Sequence, residues 1–312
     1  MEVFKHPTSL PYQGTCLTLG SYDGVHTAHR QILNLLADKG RARNLPVGLL
    51  TFKPHPRIFF ESVGEDFGLL NTEQEQIDRL QATGQVDFLW IARFQQETAD
   101  LPPEEFIRKM LVEQAKVKFL AVGEDHRFGK DRAGDFALLQ RLGKAYGFQV
   151  QALDLVKSAE QKISSTRIRN CLIAGNIAEA NTYLGYPYPL TGRVVKGQQL
   201  GRTIGFPTAN LQPTDPWKLV PANGVYAVWA RPGSQANPVP AMMNIGYRPT
   251  VNSQGRHIEV HLLDWQGDLY NQTLSVSFVE RIRNEQKFNG VEELKAQLAK
   301  DKAATQRILG NS

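Results

Sequence analysis

Short apolar runs alternate with longer segments of helical period through the first half of the chain. The runs have the length and continuous apolar character of buried strands; they are residues 15–20, 47–52, 86–91, 117–123 and 148–153. The segments between them carry apolar residues three and four apart; they are residues 30–42, 73–83, 104–114 and 135–146. This alternation predicts an α/β domain, a parallel sheet with helices on both faces, in which ligands bind at the carboxyl ends of the strands.

The pattern changes after the middle of the chain. Pro187 and Pro189 remove backbone donors and halt a preceding helical piece, so we predict two domains, residues 1–185 and 186–312. Strand-like runs separated by glycine, proline and asparagine then follow; they are residues 190–196, 224–230, 240–245, 258–264 and 274–282. This spacing predicts a small antiparallel β-barrel, and the apolar positions of residues 291–309 against a charged face predict a terminal helix.

Composition narrows the class of protein. The 312 residues are 41% hydrophobic and 21% charged, as in an ordinary soluble globular protein, and the net charge of +5 favours anionic ligands. No block of basic residues marks a nucleic-acid tail or a membrane patch. Cys16 and Cys171 are the only cysteines, so neither a disulfide framework nor a thiolate metal site is expected. Without a signal-like start or a membrane-length apolar run, we expect a cytoplasmic enzyme or binding protein.

One segment combines glycines with basic side chains. Gly197, Gly201 and Gly205 recur at four-residue spacing, and glycines let backbone N–H groups crowd around a phosphate. Lys196 and Arg202 add positive charge beside them. The segment predicts a nucleotide-binding loop; a bend between two strands with solvated charges is the alternative.

Oxygen-bearing side chains follow that segment and recur in a later strand. Thr208 and Asn210 lie two apart, which places both on one face of an extended chain. Their hard oxygens suit Mg²⁺, which takes its remaining ligands from water and nucleotide phosphates. Glu259 shares a strand face with His261 and Leu263. It is either an exposed edge carboxylate or a general base for an attacking hydroxyl group.

The loop after the first predicted strand enters a helix that begins with two histidines. Gly20, Asp23 and Gly24 form a Gly-x-x-Asp-Gly turn. His26 and His29 stand three apart at the helix start, where free N–H groups and the helix dipole favour an anion. The pair predicts stabilisation of a phosphoryl group, with surface histidines as the alternative.

Two further loops carry a cation and an aromatic residue, as the rim of a substrate site does. They are residues 51–57 and 123–129, and their candidate binding residues are His55, Arg57, Asp125 and Arg127. Solvated connections between elements are the alternative reading of both loops.

A predicted helix start combines hydroxyl residues with two arginines. Ser164, Ser165 and Thr166 offer oxygens to cap its free N–H groups, and Arg167 and Arg169 place guanidinium groups nearby. The combination predicts phosphate binding, although a simple N-cap needs only one of the hydroxyl groups.

Four segments of the chain, taken in order, resemble the adenylyltransferase half of the bacterial bifunctional riboflavin kinase/FMN adenylyltransferase (FAD synthetase) family. They are residues 20–29, 51–57, 123–129 and 163–169. That half is similar to the Rossmann-like nucleotidyltransferase superfamily. The resemblance implies that His26 and His29 bind the ATP phosphates and that residues 164–169, with Arg167 as a catalytic cation, hold the triphosphate tail. Ala28 replaces the glycine that the family usually has between the histidines. A methyl group therefore stands where a nucleotide is expected to approach bare backbone.

The kinase half of the same family resembles residues 201–210, 243–250, 283–288 and the strand that holds Glu259. The resemblance implies that Thr208 and Asn210 ligate Mg²⁺ and that Glu259 is the general base. It also implies that residues 197–205 cover ATP and that residues 283–288 close over the flavin. Further candidate binding residues are Asn244, Arg283, Glu285 and Phe288.

The two resemblances together imply a bifunctional enzyme that phosphorylates riboflavin with ATP and then adenylylates FMN to FAD. Its substrates are ATP, riboflavin and FMN, and neither a nucleic acid nor a membrane is an expected partner. Ala28 motivates an alternative in which the first domain is a weakened or regulatory nucleotide site. A regulatory flavin-binding or nucleic-acid-binding protein without turnover is a more distant alternative, and association into homo-oligomers is left open.

Overall fold

The computed structural model describes residues 1–60, 67–123, 126–153, 157–158, 161–197, 200–233, 237–247 and 256–310. The chain folds into two compact units. The first comprises Met1–Asp66 and Glu73–Ser164, and the second comprises Phe67–Thr72 and Ser165–Ser312. Some sequence candidates lie outside the described residues: Asp125, the side chain of Arg202, and residues 248–250 of the kinase-like motif.

The main sheet of the first unit has six parallel strands: β1 Glu2–Lys5, β2 Thr15–Leu19, β3 Val47–Lys53, β4 Phe88–Arg93, β5 Val117–Gly123 and β6 Gln149–Leu153. The strand order is β1-β4-β3-β2-β5-β6. The predicted parallel sheet is confirmed, with β1 as an unpredicted edge strand. Because the order reverses between β2 and β5, the loops that follow these strands flank the crevice where such sheets bind ligands.

Helices cover both faces of this sheet, so its strands are buried on both sides. Successive residues of β4 show this: Phe88 and Trp90 belong to one apolar core, whereas Leu89 and Ile91 belong to the other. All four side chains are at most 1% exposed. The continuous apolar runs of the sequence follow from this double burial, since neither face of a strand needs polar residues.

The helices of the first unit follow the predicted order. They are α1 Thr27–Arg43, α2 Pro56–Phe59, α3 Glu73–Thr83, α4 Gln96–Ala99, α5 Pro103–Phe106 with its π-helical continuation Ile107–Gln114, a 3₁₀ turn Lys130–Arg132, and α6 Phe136–Tyr146. Asp135 begins α6 as its N-cap, since its Oδ1 accepts a hydrogen bond of 2.9 Å from the N–H of Leu138. A short antiparallel pair, β7 Lys157–Ser158 and β8 Gln161–Lys162, precedes the second unit.

The second unit contains a closed barrel whose strand neighbours are all antiparallel. Its strands are β9 Pro189–Val195, β10 Ala209–Pro213, β11 Gly224–Pro232, β12 Val239–Tyr247, β13 Arg256–Leu262 and β14 Thr273–Arg283. They close in the order β10-β13-β12-β11-β14-β9. The predicted barrel is confirmed, and β10 is the strand that the pattern did not predict.

The helices of the second unit are α7 Ser165–Ala174, α8 Ile177–Leu184, α9 Leu200–Thr203 and α10 Val291–Leu309. The helix α8 is tied to the barrel by Asn181, whose amide donates to the Phe278 carbonyl at 2.9 Å and accepts from the Tyr188 N–H at 2.8 Å. By compactness this unit takes in Phe67–Thr72 and the chain from Ser165 onward, whereas the boundary at 185/186 stays a prediction. No helix in the described part of the chain has the length and apolar character needed to span a membrane.

Candidate active sites

A row of paired residues runs around the barrel. It takes one residue from each strand: Val195, Asn210, Glu259, Asn244, Val225 and Arg283. Directly paired residues of antiparallel strands project from the same face, so the amide groups of Asn210 and Asn244 flank the Glu259 carboxylate. Glu259, Asn244, Val225 and Arg283 border a cavity of about 420 Å³, a volume typical of small-molecule sites.

The other walls of this cavity come from α10 and from the segment that precedes β10. Leu294 and Leu298 contribute apolar surface from α10, and Thr208 and Gly201 face the cavity from the opposite segment. The cavity therefore combines an apolar wall, suited to a flat organic ring, with oxygen-bearing side chains near Glu259.

The three glycines before β10 serve different steric needs. Gly201 accepts a hydrogen bond of 2.8 Å from the Phe206 N–H, and a Cβ on Gly201 would overlap the Phe206 carbonyl. A Cβ on Gly197 would overlap the Asn210 side-chain amide. Gly205 has φ of 84°, a left-handed conformation that favours glycine. The glycines thus permit a tight turn and leave space for the Asn210 side chain. Lys196, which precedes Gly197, is exposed.

An ion pair anchors the segment that follows β14. Arg283 donates to Asp301 through Nε at 2.9 Å and Nη2 at 2.7 Å, and the Asp301 side chain is 1% exposed. The Arg283 guanidinium carbon lies 5.8 Å from the centre of the Phe288 ring. Phe288 and Glu285 also border the cavity. The pair therefore fastens residues 283–288 to α10 beside the cavity.

His261 is a cavity residue to which the sequence pattern assigned no role. It is 7% exposed, and its Nδ1 lies 2.7 Å from the carbonyl oxygen of Pro207. Its ring meets the Phe206 ring edge-on at 5.4 Å. Burial is the main cause that lowers the pKa of His261. The available signal was the two-residue alternation, which placed His261 on the same strand face as Glu259.

The donor set beside the barrel cavity fits Mg²⁺. Thr208 offers a hydroxyl and Asn210 an amide oxygen, both hard ligands of the kind that Mg²⁺ prefers, and the Glu259 carboxylate is paired with Asn210. Among the described residues, no group of three or more His, Cys, Asp or Glu side chains is placed to hold a metal ion. A sparse protein contribution of this kind suits an ion that completes its coordination with water and nucleotide phosphates.

The loop after β2 is held in an uncommon backbone conformation. Tyr22 and Val25 have φ of 46° and 35°, values that side-chain-bearing residues seldom adopt. Gly20 and Gly24 have φ of 155° and 90°, and Asp23 between them is 4% exposed. Such strain costs on the order of 1–3 kcal/mol for each residue and is concentrated at functional sites.

The two histidines of this loop stack at the start of α1. His26 is the N-cap, because its Nδ1 accepts from the His29 N–H at 3.3 Å. The two rings lie 3.6 Å apart, and the Tyr22 ring stacks on His29 at 4.4 Å. The His29 Nδ1 is buried and makes no hydrogen bond to any described residue. Burial first, and the neighbouring His26 second, hold the pKa of His29 well below its ordinary value, so its ring is neutral at pH 7.

Ala28 does not present its methyl group to a ligand at the surface. The residue lies in the first turn of α1 and is 0% exposed, so its side chain is covered by protein atoms. The expected obstacle between the two histidines is therefore absent, and the motive for a weakened first site is removed.

The candidate loop after β3 begins α2. His55 is the N-cap, since its Nδ1 accepts from the Arg57 N–H at 3.1 Å, and Arg57 is exposed. In the loop after β5, Arg127 is exposed as well. Both arginines are placed at the carboxyl edge of the sheet, where their role as substrate contacts stays a prediction.

An aromatic cluster adjoins α2. The rings of Phe59, Phe60 and Phe94 pack edge to face with centroid distances of 5.3, 5.2 and 5.6 Å. Phe60 remains 55% exposed. The sequence pattern noted an aromatic residue in this loop but missed the cluster, because Phe94 joins it only through the pairing of β3 with β4.

The predicted phosphate segment spans the start of α7: Ser164 is the last residue of the first unit, and the segment from Ser165 onward belongs to α7 and the second unit. Ser164 and Ser165 are partly buried and Thr166 is exposed. Arg167 lies 3.3 Å from the Glu179 carboxylate and 4.8 Å from the centre of the Tyr183 ring. Arg169 is 6% exposed, and its Nε donates to the Gly68 carbonyl at 2.7 Å. These contacts connect α7 to its own unit, and phosphate binding by this segment stays a prediction.

Sequence comparisons match both units to known families. The family described as Riboflavin kinase matches residues 184–309, and the family described as FAD synthetase matches residues 10–167. The first match contains the row of paired barrel residues, and the second contains the strained loop with its two histidines.

Whole-length relatives carry both families on one chain. A bifunctional riboflavin kinase/FMN adenylyltransferase of Escherichia coli strain K12 is 43% identical over 96% of this chain and 94% of its own length. The protein of that description from Haemophilus influenzae is 39% identical over 95% of this chain and 94% of its own. A crystal structure described as a macrolide-efflux protein from Streptococcus pneumoniae has a TM-score of 0.87 at 30% identity, covering 98% of this chain and 99% of that one. The chain therefore belongs to the family of bifunctional riboflavin kinases/FMN adenylyltransferases.

Proposed function

We propose that the barrel transfers the γ-phosphoryl group of ATP to the 5′-hydroxyl of riboflavin, and that the chain then adenylylates the resulting FMN. One observation carries the kinase assignment: Glu259 is paired with Asn210 on one side and Asn244 on the other, at a cavity that Thr208 also borders. Family membership supports the presence of both activities on one chain.

In the kinase step, Glu259 takes the proton of the riboflavin 5′-hydroxyl while the hydroxyl oxygen forms a bond to the γ-phosphorus of ATP. The bond between that phosphorus and the bridging oxygen breaks, and ADP leaves with the electron pair. A carboxylate at this position suffices, because phosphoryl transfer depends mainly on alignment and on compensation of charge. Asn244, beside Glu259, is placed to orient the carboxylate or the hydroxyl group.

Thr208 and Asn210 are the residues that would hold Mg²⁺, which neutralises phosphate charge during the transfer. The turn closed between Gly201 and Phe206 is proposed to offer backbone groups to the phosphates, and Gly205 within it carries no side chain. Gly197 leaves room for the Asn210 amide, and this close contact restricts the position of the amide oxygen.

The flavin ring is proposed to lie against the apolar wall formed by Leu294 and Leu298. Phe288 borders the same cavity and offers a ring face for stacking, while the Arg283–Asp301 pair fixes the start of its segment. Residues 283–288 thereby keep the ring in place and exclude water from the reacting hydroxyl.

In the adenylylation step, a phosphate oxygen of FMN attacks the α-phosphorus of a second ATP, and pyrophosphate leaves. His26 is the proposed donor to the phosphates: its Nδ1 accepts the helix-capping bond, so its ring proton resides on Nε2. His29 supports the His26 ring by stacking. The exposed cluster at Phe60 is a surface on which a flavin ring can pack. No covalent enzyme intermediate is needed.

Product analysis tests this proposal. The purified chain is mixed with riboflavin, ATP and Mg²⁺, and the flavins are separated by chromatography; we expect FMN first and FAD later. The variant Glu259→Gln is expected to lose kinase kcat by about 100-fold or more, while it still converts supplied FMN to FAD. Glu280→Gln is the matched control, since Glu280 is an exposed carboxylate on the barrel strand β14. Full kinase activity of Glu259→Gln, or no FMN from the unaltered chain, would refute the kinase assignment.

A further inference from the structure

His261 connects the strand β13 to the segment just before β10, which the pairing of these two strands does not reach. It lies two residues from Glu259 on β13, so both side chains project from the same face of that strand. Its Nδ1 reaches the Pro207 carbonyl oxygen at 2.7 Å, and Thr208 is the next residue after Pro207. A carbonyl oxygen only accepts, so the His261 nitrogen is the donor in this bond.

The ladder between β10 and β13 explains why a side chain makes this bond. Pairing begins with Ala209 opposite Val260 and continues with Asn210 opposite Glu259. Pro207 has no backbone N–H and cannot extend the ladder toward the preceding turn. The chain that carries Thr208 is therefore bonded to β13 by the ladder on one side only; on the other side the Phe206 N–H bonds within its own turn, to the Gly201 carbonyl. The His261 N–H supplies the bond to β13 on that side.

We propose that His261 is a positioning residue of the kinase site, which fixes the Pro207 carbonyl and thereby the Thr208 hydroxyl with respect to Glu259. The inference rests on the proposed function of Thr208 and Glu259. His261 does not itself touch the reacting groups. It acts by holding the segment between the Gly201–Phe206 turn and β10, and Phe206 packs edge-on against its ring.

Because His261 is buried, only a side chain with a donor at the position of Nδ1 can replace it in this hydrogen bond. At 7% exposure, water cannot readily take the place of the imidazole N–H at the Pro207 carbonyl. Asparagine carries its amide nitrogen on Cγ, at the position that Nδ1 has in histidine, so an asparagine in place of His261 would keep the donor but lose the ring. Phenylalanine keeps a ring of similar size but has no donor. The two substitutions therefore separate the hydrogen bond from the packing.

The test compares His261→Phe with His261→Asn in the full chain. We expect His261→Phe to lower kinase kcat by about 10- to 100-fold, since a displacement near 1 Å has an effect of that size. Calorimetry with ADP and Mg²⁺ is expected to show at least about fivefold weaker binding, while the KM for riboflavin changes less than kcat. His261→Asn is expected to recover most of both losses. FMN adenylylation by each variant, and its thermal unfolding, report that the chain is folded.

Two results would overturn the inference. One is His261→Phe with unaltered kcat and ADP affinity; the other is His261→Asn as impaired as His261→Phe, which would assign the effect to the ring alone. If His261→Phe does not fold, His261→Gln replaces it, because its amide nitrogen is one bond further from the backbone. Thr208→Ala separates this inference from the proposed function. A loss in Thr208→Ala without a loss in His261→Phe refutes only the role of His261, whereas unaltered activity of Thr208→Ala refutes the role of Thr208 itself.

Discussion

In the barrel, the cavity residues come from strands and a helix spread between Gly201 and Asp301, whereas residues 20–29, one loop and the helix start that follows it, supply the stacked histidine pair of the first unit. Glu259 meets Asn210 and Asn244 only because three strands pair in one register. His26 and His29 meet because they are three apart at the start of one helix.

Because of this difference, different kinds of substitution are expected to inactivate the two sites. A barrel site built by register is sensitive to anything that shifts a strand or the segment that precedes it, even far from the substrate. The loop site depends on local backbone geometry, since Tyr22 and Val25 must keep left-handed conformations beside the histidines. Substitutions in either of these two sites should therefore affect one activity and leave the other intact.

The largest expected effect is at His26. Asparagine at this position keeps an N-cap acceptor for α1 but lacks the Nε2–H that we propose as a phosphate donor. We expect His26→Asn to slow FMN adenylylation by about 100-fold or more, while riboflavin phosphorylation is unchanged. Separate rates of FAD formation from FMN and of FMN formation from riboflavin measure this. An unaltered rate of FAD formation would contradict the proposed role of His26.

The next effect concerns Asp301. Asp301→Asn breaks a buried ion pair with Arg283, and we expect the free energy of unfolding to fall by about 3 kcal/mol. The KM for riboflavin should rise, because residues 283–288 lose their anchor, whereas adenylylation persists. Chemical denaturation and kinase kinetics are the measurements. Asp264→Asn is the control: its partner Lys302 lies 3.2 Å away, but the Asp264 side chain is 78% exposed, so a loss of at most about 1 kcal/mol is expected.

A smaller effect follows from the neutral ring of His29. Because the pKa of His29 is lowered in the folded chain, the unfolded chain binds a proton that the folded chain does not as pH falls below about 6.5. Stability is then lost on acidification, by at most about 1.4 kcal/mol for each pH unit. Denaturation of the unaltered chain and of His29→Gln at pH 7.5 and 5.5 isolates this contribution from that of His261. Equal pH dependence in the two proteins would show that His29 titrates normally.

The smallest effect is expected at Ala28. Since its methyl group is buried, Ala28→Gly should leave FMN adenylylation unaltered and lower stability by about 1 kcal/mol, as glycine does within a helix. Ala37→Gly is a matched control at another buried position of α1. A several-fold faster adenylylation in Ala28→Gly alone would show that the methyl group does obstruct the nucleotide.

The helices and strands of both units were largely predictable because the polarity of each residue reflects whether it is buried or exposed. The strand β5 is predicted to the residue, and the apolar runs of the first sheet are long because both faces are buried. The strand β1 was missed, since its exposed and half-buried residues lack an apolar run. The strand β10 was missed because prolines stand at both ends, although Ala209 and Leu211 alternate as buried residues.

The chemistry of single residues was predictable where it depends on residue type alone. Histidines after a Gly-x-x-Asp-Gly turn indicate an anion site, and a hydroxyl and an amide two apart indicate a hard-metal site, wherever the chain folds. The local pattern did not reveal that Arg169 is buried against the Gly68 carbonyl, because Gly68 is distant in sequence.

What the sequence alone determined is thus the set of elements, the two fold classes and the chemical kinds of the candidate groups, all of which follow from local periodicity and side-chain type. Only the tertiary structure decided that Asn210, Glu259 and Asn244 share one row, that His261 holds the Pro207 carbonyl, and that Ala28 faces inward. The physical reason is that register, burial and long-range hydrogen bonds are properties of pairs of segments, and no single segment encodes its partner.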